Sequence, residues 1–194
     1  MSHMNHMSPM SAPIPVKVVI AGGFGAGKTT FVGAASEIAV LQTEAAMTDL
    51  SVGIDDLSDV IGKTTTTVAL DFGRRTIDQQ LVLYMFGTPG QDRFWFMWDD
   101  IARGSAGAVV IIDTRRIADG FGAIDFFEDR QVPFVVAVNQ FDGAPRHHPA
   151  SVRDALALPA EVPLVICDAR DGRSVVDVLA TLVEHALARA TVAT

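Results

Sequence analysis

The chain has 194 residues, 49% of them apolar, and a formal net charge of −8. That is enough for one domain with a full core, and no apolar run reaches the length of a membrane-crossing helix. The absence of a lysine- or arginine-rich block argues against nucleic acid or anionic membrane surfaces as direct partners, and the single Cys167 excludes an internal disulfide and fits a reducing cytoplasm.

Residues 1–12 are expected to be a disordered leader or a vector scar, with a single domain over 13–194. There is no Met-Gly start, and Thr191–Thr194 carries no prenylation box, so no direct membrane anchor is expected. Val16–Ala21 then reads as a buried strand, and Thr30–Ile38 as a helix. Between them lies Gly22-Gly23-Phe24-Gly25-Ala26-Gly27-Lys28-Thr29. Glycine, four residues, glycine, lysine and a hydroxyl residue, set between a strand and a helix, is the phosphate-binding P-loop pattern. Glycines let successive N–H groups curl around a polyphosphate, and the helix start adds its positive end. Lys28 then supplies a point charge to the outer phosphates, and the Thr29 hydroxyl a ligand for Mg²⁺.

Leu41–Thr66 is polar, threonine-rich and weakly periodic, and reads as a long functional loop. Five further short apolar runs follow, Thr67–Phe72, Leu81–Phe86, Gly107–Ile112, Phe134–Val138 and Leu164–Cys167. Continuous apolarity suits strands buried on both faces. Helical patterns at Arg93–Ala102, Gly122–Asp129, Pro149–Leu158 and Ser174–Ala190 alternate with them. The expected fold is therefore α/β, a mostly parallel sheet with helices on both faces. Gly73–Gln80 is too short for a helical crossover, so the second and third strands should be antiparallel.

Two strand-end motifs and one loop narrow the chemistry. Asn139-Gln140-Phe141-Asp142 follows the fifth strand and approximates the Asn-Lys-x-Asp motif that reads guanine. A carboxylate there accepts from guanine N1–H and the exocyclic amine, neither of which adenine offers at that edge. Asp168-Ala169-Arg170 ends the sixth strand, where Ras-like proteins carry Ser-Ala-Lys and the alanine N–H meets guanine O6. Gly87-Thr88-Pro89-Gly90-Gln91-Asp92-Arg93-Phe94 is close to their switch II segment.

On Gly22–Thr30, Lys63–Gly73, Phe86–Trp98, Asn139–Asp142 and Cys167–Arg170 the chain resembles the Ras-like small GTPases from Val16 to Ala190. More narrowly, it resembles the small GTPases of actinobacterial conservons, distant relatives of the bacterial gliding-motility GTPase. The resemblance implies a P-loop G domain with a six-stranded sheet, one strand antiparallel, and a GTP/GDP switch with Mg²⁺. The nucleotide-contacting set it implies is Gly22, Phe24, Gly25, Ala26, Gly27, Lys28, Thr29, Thr30, Gly90, Asn139, Gln140, Asp142, Asp168, Ala169 and Arg170. Gln91 would orient the attacking water, and Thr67, with Thr66 as second choice, would sense the γ-phosphate through Mg²⁺. Implied partners are a roadblock-type protein, a histidine-kinase-like sensor and a small regulatory protein, with a pentapeptide-repeat protein as a weaker addition. A cytoplasmic location, with recruitment to the membrane through partners, is expected.

The chain departs from the pattern at four places. Gly87 stands where the switch II Asp normally holds a Mg²⁺-bound water, and Asp71 on the adjacent strand is the expected substitute. Phe24 replaces the glycine that faces the γ-phosphate, where it would obstruct a partner's arginine or else pack against the sheet edge. Gln140 replaces a lysine that stacks on the base. Thr66 stands where the gliding-motility relatives place an intrinsic arginine, so slow hydrolysis is expected. A non-hydrolysing guanine-nucleotide scaffold is the competing reading, and an ATP-dependent kinase a weaker third. In the helix after the switch, Phe94, Trp98 and Ile101 should face inward and leave Trp95 or Phe96 for a partner.

Overall fold

Apolar residues that alternate between two cores explain why the strands read as unbroken apolar runs. In the computed structural model, which describes residues 12–48, 65–90 and 92–192, β1 spans Ile14–Gly22. Its Val18 and Ile20 point into one core with Phe31, Val32 and Leu179, and its Val19 and Ala21 into another with Trp98, Phe127 and Phe134. A strand in the centre of a doubly covered sheet has no solvent face on which to place polar residues.

In chain order, β1 is followed by α1 (Lys28–Ala35), β2 (Leu41–Thr48), β3 (Thr65–Thr76) and β4 (Leu81–Gly87). Then come α2 (Trp98–Ala102), β5 (Gly107–Asp113), α3 (Phe121–Asp129), β6 (Phe134–Asn139), α4 (Pro149–Ala155), β7 (Leu164–Cys167) and α5 (Gly172–Val192). The strands lie in the order β2-β3-β4-β1-β5-β6-β7. β3 is antiparallel to both its neighbours, and the remaining pairs are parallel. The expected fold class and the single reversed strand are both present. The chain also adds a seventh strand, because the first part of the expected loop, Leu41–Thr48, pairs along β3.

α1 and α5 cover one face of the sheet, while α2, α3 and α4 cover the other. Helix limits differ from the periodicity at several places: α4 stops at Ala155 rather than Leu158, and α5 runs from Gly172 to Val192. α1 ends at Ala35, where Ser36 takes an extended conformation and its hydroxyl bonds the carbonyls of Ile38 and Arg74. The expected Arg93–Ala102 helix is a 3-10 segment over Asp92–Met97 before α2. Trp98 at that junction is buried between Phe126 and Phe127, and its indole N–H donates to the Pro89 carbonyl at 3.3 Å. Packing one large ring under the segment sets its path more strongly than helix propensity does.

Ile101 is inward as expected, Phe96 is 60% exposed, and the Trp95 ring stacks on Trp98 at 5.2 Å. The Phe94 side chain lies outside what is described. Among the described residues no helix is long and apolar enough to cross a membrane.

Candidate functional site

The site lies where β1, β4, β5, β6 and β7 end. Gly22-Gly23-Phe24-Gly25-Ala26-Gly27 turns from β1 into α1, and Gly27 is left-handed with φ 108°. A Cβ at Gly27 would lie 2.5 Å from the Asn139 amide nitrogen, so this position requires glycine on both counts. Lys28 is buried, and its ammonium donates to the Gly22 and Gly23 carbonyls at 2.9 and 2.7 Å. Burial pulls the Lys28 pKa down from 10.5 to about 8, against an opposing pull from the Asp71 charge. The ammonium is thus held against the loop that a polyphosphate would enter.

The Thr29 hydroxyl donates to Asp71 Oδ2 at 2.6 Å. Asp71 is buried and pairs in register with Gly87 across β3 and β4. A Cβ at Gly87 would come 3.0 Å from the Asp71 Cβ and 3.2 Å from its carboxylate. One carboxylate therefore fills the space that two neighbouring strand ends could offer, which accounts for glycine at position 87. A hydroxyl and a carboxylate in contact are oxygen donors that suit Mg²⁺, a cation that takes few protein ligands and completes its shell with phosphate and water. The next residue, Thr88, has a buried hydroxyl with no hydrogen-bond partner among the described residues.

At the far end, Asn139 ties the loops together. Its amide donates to the Ala26 carbonyl at 3.0 Å, and its Oδ1 accepts from the Ala169 N–H at 3.0 Å. The Ala169 N–H expected to meet a base oxygen is therefore already given to Asn139, and a base would have to share it. The Gln140 N–H donates to the Cys167 carbonyl at 2.7 Å, which fixes the two motifs side by side. Asp142 is exposed and forms a two-pronged pair with Arg170 at 2.6 and 3.1 Å. Hydrogen bonds from Arg170 hold the Asp142 carboxyl below its usual range and that of Asp168 down to about 2.

Two arginines have no role assigned from the sequence. Arg116 donates to the Phe24 carbonyl at 2.6 Å, which puts a guanidinium against the P-loop. The Arg115 guanidinium donates to both Asp113 oxygens, at 2.9 and 2.7 Å, and lies 3.8 Å over the Phe141 ring. Asp113 is buried and pairs with Asn139 in the β5–β6 register, so Arg115 braces the base-side loop. Only the arginine pair next to a strand-end Asp could have signalled this.

Phe24 is 62% exposed and does not pack at the sheet edge, the alternative considered for it. It stands at the rim of a cavity of about 700 Å³ lined also by Gly90, Trp95, Asp119 and Gly122. Gly90 is close to the P-loop, since a Cβ there would meet Lys28 Nζ at 2.6 Å and Phe24 Cα at 3.0 Å. Gly25 is exposed on the loop, and Thr30 is exposed in the first turn of α1. Gln91 lies outside the described residues. Thr66 and Thr67 are placed in β3 by their backbone only.

Residues 20–189 match the family described as conserved hypothetical ATP binding protein. The chain belongs to that family. It is 30% identical over 132 residues to an uncharacterized protein of Methanocaldococcus jannaschii, covering 66% of this chain and 71% of that one. It is also 24% identical to Ras-related protein Rab-7b of Homo sapiens, over 91% of this chain and 84% of that one. Among solved structures, the G domain of the T. maritima FeoB iron transporter superposes with a TM-score of 0.63. Identity there is 15%, with 89% of this chain and 99% of that one covered. The cytosolic domain of the same transporter in a GDP form gives 0.64, at 15% identity over 91% of this chain and 65% of that one. This member of the family is a nucleotide-binding P-loop domain with a GTPase-like fold.

Proposed function

We propose that this family member binds guanine nucleotide with Mg²⁺ and slowly hydrolyses GTP, as a switch between two nucleotide states. The observation that carries the reading is Asn139, which bridges the P-loop and the 168–170 loop and so sets Asp142 in one site with Lys28. A carboxylate at that place accepts two parallel N–H donors, the edge that guanine presents and adenine lacks. The family description names ATP, and competition of GTP and ATP against a labelled GDP decides between them. Preference for ATP would sink the guanine reading.

In this reading Lys28 neutralises the outer phosphates, and Thr29 and Asp71 hold Mg²⁺, directly and through water. The metal would neutralise charge on the phosphate oxygens. Thr67, with Thr66 as second choice, would complete the metal site in the GTP state, and Gln91 would orient water. Conversion to GDP would release these switch segments.

A second reading, a guanine-nucleotide scaffold without turnover, is favoured by the exposed Phe24 beside the P-loop and by glycine at position 87. Single-turnover hydrolysis, with and without a partner, separates the two. The roadblock-type and sensor-kinase-like partners rest on the conservon resemblance alone. Capture by a GTP-locked form, checked against the products of neighbouring genes, tests them.

A further inference from the structure

The carboxylate assigned to the base is already occupied. Arg170 Nη1 and Nη2 donate to the two Asp142 oxygens at 2.6 and 3.1 Å. The same guanidinium donates from Nε and Nη2 to the two Asp168 oxygens at 2.9 and 2.8 Å. Asp168 is held in turn: one of its oxygens accepts the Arg170 N–H at 2.9 Å, and its own N–H donates to the Ser174 hydroxyl at 3.0 Å. The arginine is therefore clamped from behind by one carboxylate and aimed at the other. A guanidinium offers a carboxylate two parallel N–H bonds in a plane. The N1–H and amino edge of guanine offers the same pair.

We propose that Arg170 competes with guanine for the base-reading carboxylate, staying paired with Asp142 until a base with two matching donors displaces it, and so tunes the affinity for guanine nucleotides. This deepens the guanine reading and rests on it. Guanine replaces the arginine bond for bond, so Asp142 is left paired. Adenine, with an acceptor at N1 and no neighbouring amine, leaves the ion pair closed. The arginine thus lowers the affinity for guanine nucleotides.

The test uses the full chain, nucleotide-free, with fluorescent GDP and ADP in stopped-flow and equilibrium titrations. Arg170→Met keeps the apolar stem and removes every donor. At low salt it should raise the GDP association rate and affinity by about three- to fivefold, the range expected for an exposed but two-pronged pair. ADP should change by less than about twofold on the same reasoning. The gain should shrink at roughly 0.5 M salt, where exposed charges are screened. In an Asp142→Asn background, Arg170→Met should have no effect on GDP, because the two residues act through one contact.

Weaker GDP binding by Arg170→Met would overturn the proposal and show that the arginine holds the base. Equal shifts for GDP and ADP would overturn it too. If Asp142→Asn by itself leaves GDP affinity unchanged, the guanine reading fails and takes this inference with it. If Asp142→Asn weakens GDP but Arg170→Met does not tighten it, the inference alone fails.

Discussion

The two ends of the site are built from opposite materials. At the phosphate end the charged groups are buried: Lys28 is held by two backbone carbonyls and Asp71 lies against Thr29, among glycines where a Cβ would collide. At the base end the groups are exposed side chains of opposite charge, paired with one another around Arg170. Burial makes an interaction strong and costly to lose, whereas exposure makes it weak and exchangeable. The phosphate end is therefore suited to tight, base-blind holding, and the base end to selection.

Lys28→Met gives the largest test of that contrast. Nucleotide affinity should fall by about a hundredfold or more, since a charge-assisted contact in a low-dielectric loop is lost. The melting temperature of the free protein should stay level or rise, because an apolar side chain of similar volume replaces a buried charge. A collapse in melting temperature would mean that Lys28 holds the loop together.

Asp142→Asn probes the other end. It should reduce GDP affinity by roughly tenfold or more and favour xanthine nucleotides, as a site built for donors meets a donor of its own. Unchanged GDP binding in a titration would show that the base is read elsewhere.

Proton linkage gives a third test. The Lys28 pKa is about 8 in the free protein, and bound phosphate raises it, so above pH 8 binding must take up a proton. Affinity should be flat below pH 8 and then fall by up to about tenfold per pH unit. The same lowered pKa makes folding stability of the free protein rise between pH 8 and 10.5, where the unfolded chain holds the extra proton. Affinity that stays constant to pH 9.5 would count against the buried ammonium.

Asp71→Ala addresses the metal. Mg²⁺-dependent GTP binding should weaken by about tenfold, as when the anchor of a metal-bound water is removed. Binding in EDTA should change much less, and equal losses in both buffers would leave Asp71 structural. The smallest effect is expected on the exposed ridge. Phe96→Ser should change stability by no more than about 0.5 kcal/mol and abolish contact with a partner or a second copy in one nucleotide state. A clear drop in melting temperature would place Phe96 in the core.

Most of the fold was legible because buried strands and amphipathic helices write their environment into local patterns. The P-loop spelling and the apolar runs of β1, β4, β5, β6 and β7 sit where the sequence put them. The position of Asp71 beside Gly87 was also foreseeable, since the missing acid there pointed to the adjacent strand. The edge strand β2 was not, because the apolar residues of Leu41–Thr48 (Leu41, Ala45, Ala46 and Met47) do not alternate with polar ones and carry no strand period. Its pairing comes from the free edge of β3.

By itself, then, the sequence determined the architecture, the phosphate loop and the strand ends at which a site would form. Those follow from periodicity and from glycine's freedom, both local properties of the chain. Only the tertiary structure decided which long side chains meet there. Arg116 reaches the Phe24 carbonyl across 92 positions, and Arg170 closes on Asp142 across 28. A flexible arginine leaves no periodic trace of its target, and its partner is chosen by which loops the sheet brings together.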